Sequence, residues 1–190
     1  MKSHKYEIKV EWTGNEGNGT LNYTSYNRNH EIKSVGKYDA IHGSSDPSFL
    51  GDKSKYNPED LFLSSITACH MLWYLHLCSV HKIIVTAYED NATGIMAEDN
   101  NGSGRFTEVT LNPTVRISDK NRIQEAKELH EEANKMCFIA NSLPSASFII
   151  IFSFFGVSSP SSGGDVSSVK SSQLSSLVAF SSGSSGSPSH

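Results

Sequence analysis

Asn57–His81 reads NPEDLFLSSITACHMLWYLHLCSVH, and how this stretch is read decides the fold. Asn57 suits the N-cap of a helix, Pro58 the first helical position, and Glu59 and Asp60 the positive end of the helix dipole. From Leu61 to Val80 the residues are apolar around nearly the whole circumference, interrupted by Ser64, Ser65, Thr67, His70 and His76. A helix of that kind is buried, in a membrane or at the centre of a domain or dimer. Two histidines and a proline-led start favour a central helix in a protein interior over a bilayer span. Cys69 stands in its middle, either as packing or as chemistry.

The totals narrow the field. The chain has 190 residues, enough for one domain with a real core. A formal net charge of −4 gives no reason to expect nucleic acid or an anionic membrane as a partner. Three cysteines, Cys69, Cys78 and Cys137, are too few and too scattered for a secreted disulfide framework. The opening MKSHKYEIKV lacks the apolar core of a signal peptide, so a reducing cytoplasm is the expected location.

Before the central helix, Tyr6, Ile8, Val10 and Trp12 alternate with charged residues, the period-2 pattern of a strand with one wet face. Thr13–Gly19 reads as a turn, Leu21–Tyr26 as a second strand, His30–Val35 as a third, and Gly43–Asn57 as a long loop. After the helix, Ile83–Tyr88 reads as a buried strand. Gly94–Ala97 and Arg105–Leu111 form a hairpin about the NNGSG turn, continued by Thr114–Ile117. Asp119–Lys135 is a second helix, with Ile123, Ala126, His130, Ala133 and Cys137 near one face. Residues 148–157 (FIIIFSFFGV) are intensely apolar but too short to span a membrane as a helix. Residues 158–190, about half serine, are expected to be disordered. The domain is therefore expected to end near residue 142, or near 157 if the apolar run supplies a last strand.

Helical geometry sorts the thiols. Cys69 and Cys78 are nine residues apart, about two and a half turns, and face opposite sides of one helix. They cannot pair with each other; a Cys69–Cys137 pair stays open. Cys78, within LHLCSV, reads as a small buried hydrophobe. Cys69 lies too far along the helix to gain from its dipole, so a reactive thiolate there needs a cation from elsewhere. Arg28 is the best candidate on sequence, and Glu59 is the natural carboxylate to orient it. Glu59 and Cys69 are about 15 Å apart along the helix, so Glu59 reaches a site at Cys69 only from a second copy of the chain.

SSITACHMLWYLHLC preceded by NPEDL, with CFIANS further on, resembles the OsmC/Ohr family of osmotically inducible and organic hydroperoxide resistance proteins. WTGNEG, SSDPSFLGD, ATGIM and FTEVTLNP fit the same resemblance, which covers residues 5–142. It implies an α+β fold with curved antiparallel sheets wrapped around a buried central helix, in an intertwined homodimer. It implies a thiol-dependent peroxidase reducing organic hydroperoxides to alcohols in the oxidative stress response. Cys69 matches the peroxidatic cysteine, Cys137 the resolving one, and Glu59 and Arg28 the pair that holds the thiolate. The implied partners are a small hydroperoxide and an external dithiol, with no metal or organic cofactor, no nucleic acid and no membrane. Two departures stand out. The family carries a histidine where this chain has Asn134, and LPSASFIIIFSFFG does not match the family's final strand. That abrupt change resembles an altered reading frame or alternative terminus.

Two rival readings compete. His70, His76, Cys78 and His81 crowd one helix, but His70 and His76 lie about 240° apart around it and no CxxC or HExxH spacing occurs. A non-catalytic dimeric binding or structural protein, its turnover lost with the altered C-terminus, is the stronger alternative.

Overall fold

The computed structural model describes residues 2–143, 147–156 and 174–180. The fold is α+β, in two compact units, Met1–Phe62 and Leu63–His190. The first unit holds a three-stranded antiparallel sheet of β1 (Lys9–Trp12), β2 (His30–Lys33) and β3 (Ile41–Gly43). Its register aligns Val10 with Ile32 and Ile32 with Ile41, an apolar row across the strands. That row and its neighbours are uncovered: Ile8 is 64% exposed, Val10 62% and Ile41 43%. Among the described residues of this unit only Gly14, Gly43 and Ser44 are buried, so the sheet has no apolar core of its own.

Leu21–Tyr26, expected as a strand, is turn and bend instead. Local polar groups compete with the sheet for its backbone. Asn22 Oδ1 accepts from Thr24 N–H, and Ser25 Oγ donates to the carbonyls of Gly19 and Asn22. Arg28 then donates to the carbonyls of Tyr23 and Tyr26.

The central helix α1 spans Pro58–Val80. Its start is a reciprocal capping box: Asn57 Oδ1 accepts from Asp60 N–H at 2.7 Å, and Asp60 accepts from Asn57 N–H at 3.2 Å. Its end is a Schellman turn, with Lys82 at φ 58°, Lys82 N–H bonded to Ser79 O and Ile83 N–H to Cys78 O. The helix has the length and hydropathy of a membrane span. Within one chain its burial is one-sided, along the stripe Ile66, His70, Tyr74, Leu77 and Cys78. On other faces Leu72 is 62% exposed and Val80 61%, uncovered by the described residues.

The sheet of the second unit grows from one long hairpin. β4 (Val85–Asp90) and β5 (Thr93–Glu98) run antiparallel to β7 (Pro113–Ile117) and β6 (Gly104–Leu111) respectively. The register is single from Ala87↔Arg116 to Ile95↔Glu108, and Asn91 N–H reaches Asn112 O at 3.4 Å across the break. At the tip, Gly102 takes φ 83°, which its missing side chain permits, and bonds back to Asp99 O. Val109, Leu111, Pro113, Val115 and Ile117 are all buried. This unbroken period-2 face shows β6 and β7 to be one strand interrupted at Asn112.

α2 (Ile123–Met136) follows a short 3-10 turn and buries Ala126, Leu129, His130 and Ala133; α3 is the single turn Phe138–Asn141. Residues Ser147–Gly156 of the apolar run form β8, parallel to β6 and β7 in one register from Glu108↔Ser147 to Ile117↔Gly156. Ile150 on this strand is fully buried. Leu174–Phe180, inside the serine-rich tail expected to be disordered, is strand β9, antiparallel to β8. The rest of that tail lies outside the described residues.

Candidate active site

Two elements of the second unit present thiols to each other. Cys69 projects from the middle of α1 and is partly exposed, while Cys137 follows the last residue of α2 and is 1% exposed. The two side chains are neighbours, and both are free thiols. Cys137 is also the N-cap of α3, its Sγ accepting from Ala140 N–H at 3.4 Å. Burial pushes the Cys137 thiol up to about 12, and the neighbouring Cys69 thiol adds to this, against the opposing pull of Ala140 N–H. Cys137 is therefore a neutral thiol at pH 7. Cys78 faces the other side of α1, buried, with its thiol raised above the ordinary range chiefly by burial.

Aromatic rings border the pair. Trp73, one turn after Cys69, meets Phe138, the neighbour of Cys137, edge-to-face at 5.6 Å, and His76 at 5.8 Å. Phe138 is 69% exposed, so this flank reaches the surface. A separate cleft of about 340 Å³, lined by Ser64, Thr67, Met71, Tyr88 and Asp90 among others, opens on another face of α1.

Arg28 and Glu59 belong to the Met1–Phe62 unit. Arg28 donates to Tyr26 O at 2.6 Å and Tyr23 O at 2.7 Å, with the two tyrosine rings 4.3 and 4.4 Å from its guanidinium carbon. This fixes the cation within its own loop. Glu59 is half-buried in the first turn of α1.

Sequence reasoning passed over one buried polar pair. His70 Nε2 and His130 Nδ1 share a hydrogen bond of 2.9 Å, the rings nearly parallel, and Tyr74 stacks on His130 at 3.8 Å. Both histidines are essentially without solvent exposure. The signal was present in each helix alone, a histidine within an apolar stripe, but the pairing spans sixty residues. His76 instead meets Trp73 edge-to-face and His81 lies 3.4 Å from Glu125, so the histidines of α1 and its end go to different partners. Among the described residues no group of three or more His, Cys, Asp or Glu is placed to hold a metal ion.

The pair makes stability acid-sensitive. Burial lowers His70 to about 4, and burial, with the neighbouring His70, holds His130 well below its ordinary value. The unfolded chain binds both protons below about pH 6.5 while the folded one does not, so stability falls as pH drops from there toward 4. Asp90 acts in the opposite sense: burial raises its carboxyl to about 6, so the folded state takes up that proton first. Two histidines outweigh one carboxyl, so the unfolded state holds the excess of protons and stability is expected to fall as pH drops between 6 and 4. Urea unfolding from pH 7 to 4 measures this, and a flat profile contradicts it.

The profile of the OsmC-like protein family matches residues 51–151, just over half of the chain. No curated protein matches it. Among solved structures, an OsmC-like protein of unknown function from Vibrio cholerae is 28% identical, with a TM-score of 0.68, covering 80% of this chain and 99% of that one. An OsmC-like protein from Mycoplasma pneumoniae is 17% identical, with a TM-score of 0.61 and coverage of 80% and 99%. An organic hydroperoxide resistance protein from Elizabethkingia anophelis is 24% identical, with a TM-score of 0.55 and coverage of 75% and 90%. With α1, the long hairpin and the paired thiols inside the matched span, the chain belongs to the OsmC-like protein family.

Proposed function

We propose that the protein is a thiol-dependent peroxidase that reduces organic hydroperoxides to alcohols. The observation that carries this reading is the juxtaposition of a partly exposed Cys69 and a buried, neutral Cys137. Cys69, as thiolate, attacks the terminal peroxide oxygen, the O–O bond breaks, alcohol leaves with a proton, and Cys69 becomes a sulfenic acid. The Cys137 thiol then attacks that sulfur. The S–OH bond breaks, water leaves with the thiol proton, and a Cys69–Cys137 disulfide remains. An external dithiol restores both thiols by exchange. No metal or organic cofactor enters these steps.

Arg28 and Glu59 are assigned to hold the thiolate, on the resemblance of their positions to the family pattern. Since Glu59 lies about 15 Å along the helix from Cys69, it serves that site from a second copy of the chain. The uncovered apolar row Val10–Ile32–Ile41 and exposed Leu72 support a homodimer. The peroxidase domain is taken to end with β8, and the location to be the cytoplasm.

The test is a mass measurement. One equivalent of cumene hydroperoxide added to reduced protein is expected to remove two hydrogens and leave an intramolecular disulfide joining the peptides of Cys69 and Cys137. Cys78 remains alkylatable, and a dithiol reverses the change. Oxygen added at Cys78 instead, or no change at Cys69, overturns the reading.

A further inference from the structure

Disulfide closure demands that α1 and α2 keep one relative rotation. A disulfide needs Cα atoms about 4.4–6.8 Å apart and a narrow torsion, so small shifts of either helix remove Cys69 from reach of Cys137. One connection lies at the far end: Arg122, just before α2, donates to the carbonyls of His81 and Lys82 beyond α1 and forks onto Glu125. That contact sits about four turns before Cys137, whereas beside the thiols Trp73 of α1 meets Phe138 edge-to-face, an apolar contact without a fixed hydrogen-bond direction.

The His70–His130 hydrogen bond adds a directional link between the two helices close to the thiols. His70 directly follows Cys69 on α1, and His130 lies seven residues before Cys137, on the buried stripe that Ala133 continues. Burial of both rings, stacking of Tyr74 on His130 and a bond of 2.9 Å give the contact a fixed direction. An apolar pair would fill the same space without fixing rotation.

We propose that His70 and His130 are positioning residues whose mutual hydrogen bond holds Cys69 and Cys137 in register for disulfide closure. This rests on the proposed reading that the two thiols form a disulfide. The bond uses Nε2 of His70 and Nδ1 of His130. A glutamine amide places its polar atoms near Nε2 and an asparagine near Nδ1, which gives a crossed set of substitutions. His70→Gln and His130→Asn preserve the bond, whereas His70→Asn and His130→Gln move the polar atom away from its partner.

The quantity to measure is the equilibrium constant of the Cys69–Cys137 disulfide against dithiothreitol, with the thermal unfolding midpoint read alongside. His70→Asn and His130→Gln are expected to lower the closure constant about tenfold or more, and His70→Gln and His130→Asn by less than about threefold. Leu129→Ala, a core truncation on α2, serves as the control that lowers the midpoint while leaving the constant unchanged. Equal constants in all four histidine variants, or a shift in Leu129→Ala as large as theirs, overturns the proposal while leaving the peroxidase reading intact. A wild-type protein that forms no such disulfide overturns the peroxidase reading and the proposal with it.

Discussion

Cys69→Ser is expected to bring dithiol-dependent reduction of cumene hydroperoxide down by several orders of magnitude, to the uncatalysed background. The reasoning is chemical. A serine hydroxyl stays protonated where a thiolate forms, and it has no stable counterpart of the sulfenic acid on which the rest of the cycle depends. Cys78→Ser is the matched control, since that side chain is buried on the opposite face of α1 with its thiol raised by burial. It is expected to keep turnover. Steady-state consumption of dithiol by the two variants decides the matter. Equal activity in wild type and Cys69→Ser would falsify the peroxidase mechanism and leave a dimeric binding protein as the better reading.

Ending the chain at residue 142 is expected to abolish cooperative folding, whereas ending it at residue 156 preserves a folded sheet. β8 bonds along β6 and β7 in one register over ten residues, beside the strand that carries Val109, Leu111, Val115 and Ile117 into the core. Removing it strips the buried Ile150, worth about 1.5–3 kcal/mol by itself, and opens a row of unpaired backbone groups. An open edge beside an apolar core invites association with other chains. With a total stability of about 5–15 kcal/mol to draw on, the shortened chain is expected to aggregate. Thermal unfolding and size-exclusion chromatography of the two truncations compare them directly. A sharp transition and a defined oligomer for the chain ending at residue 142 would contradict this account.

Local chemistry made much of the fold legible. Asn57, Pro58 and Asp60 announce the start of α1 because a helix leaves N–H groups that only nearby side chains satisfy. The NNGSG turn places the hairpin tip because Gly102 must take positive φ. Leu21–Tyr26 misled because its apolar and aromatic content resembles a strand, while Asn22, Ser25 and Arg28 fasten the backbone into turns.

The nine-residue spacing of Cys69 and Cys78 determined by itself that these thiols could not meet, because the period of a helix fixes which side chains share a face. Motif resemblance supplied the choice of Cys137 as a partner. Tertiary structure decided what depends on contacts between distant segments. It set the meeting of Cys69 with Cys137 and the neutrality of Cys137. It paired His70 with His130. It also left α1 buried on one stripe within the chain, where its composition suggested burial all round. Burial and partnership are properties of the packed interior, and a sequence records only the periodicities that make such packing possible.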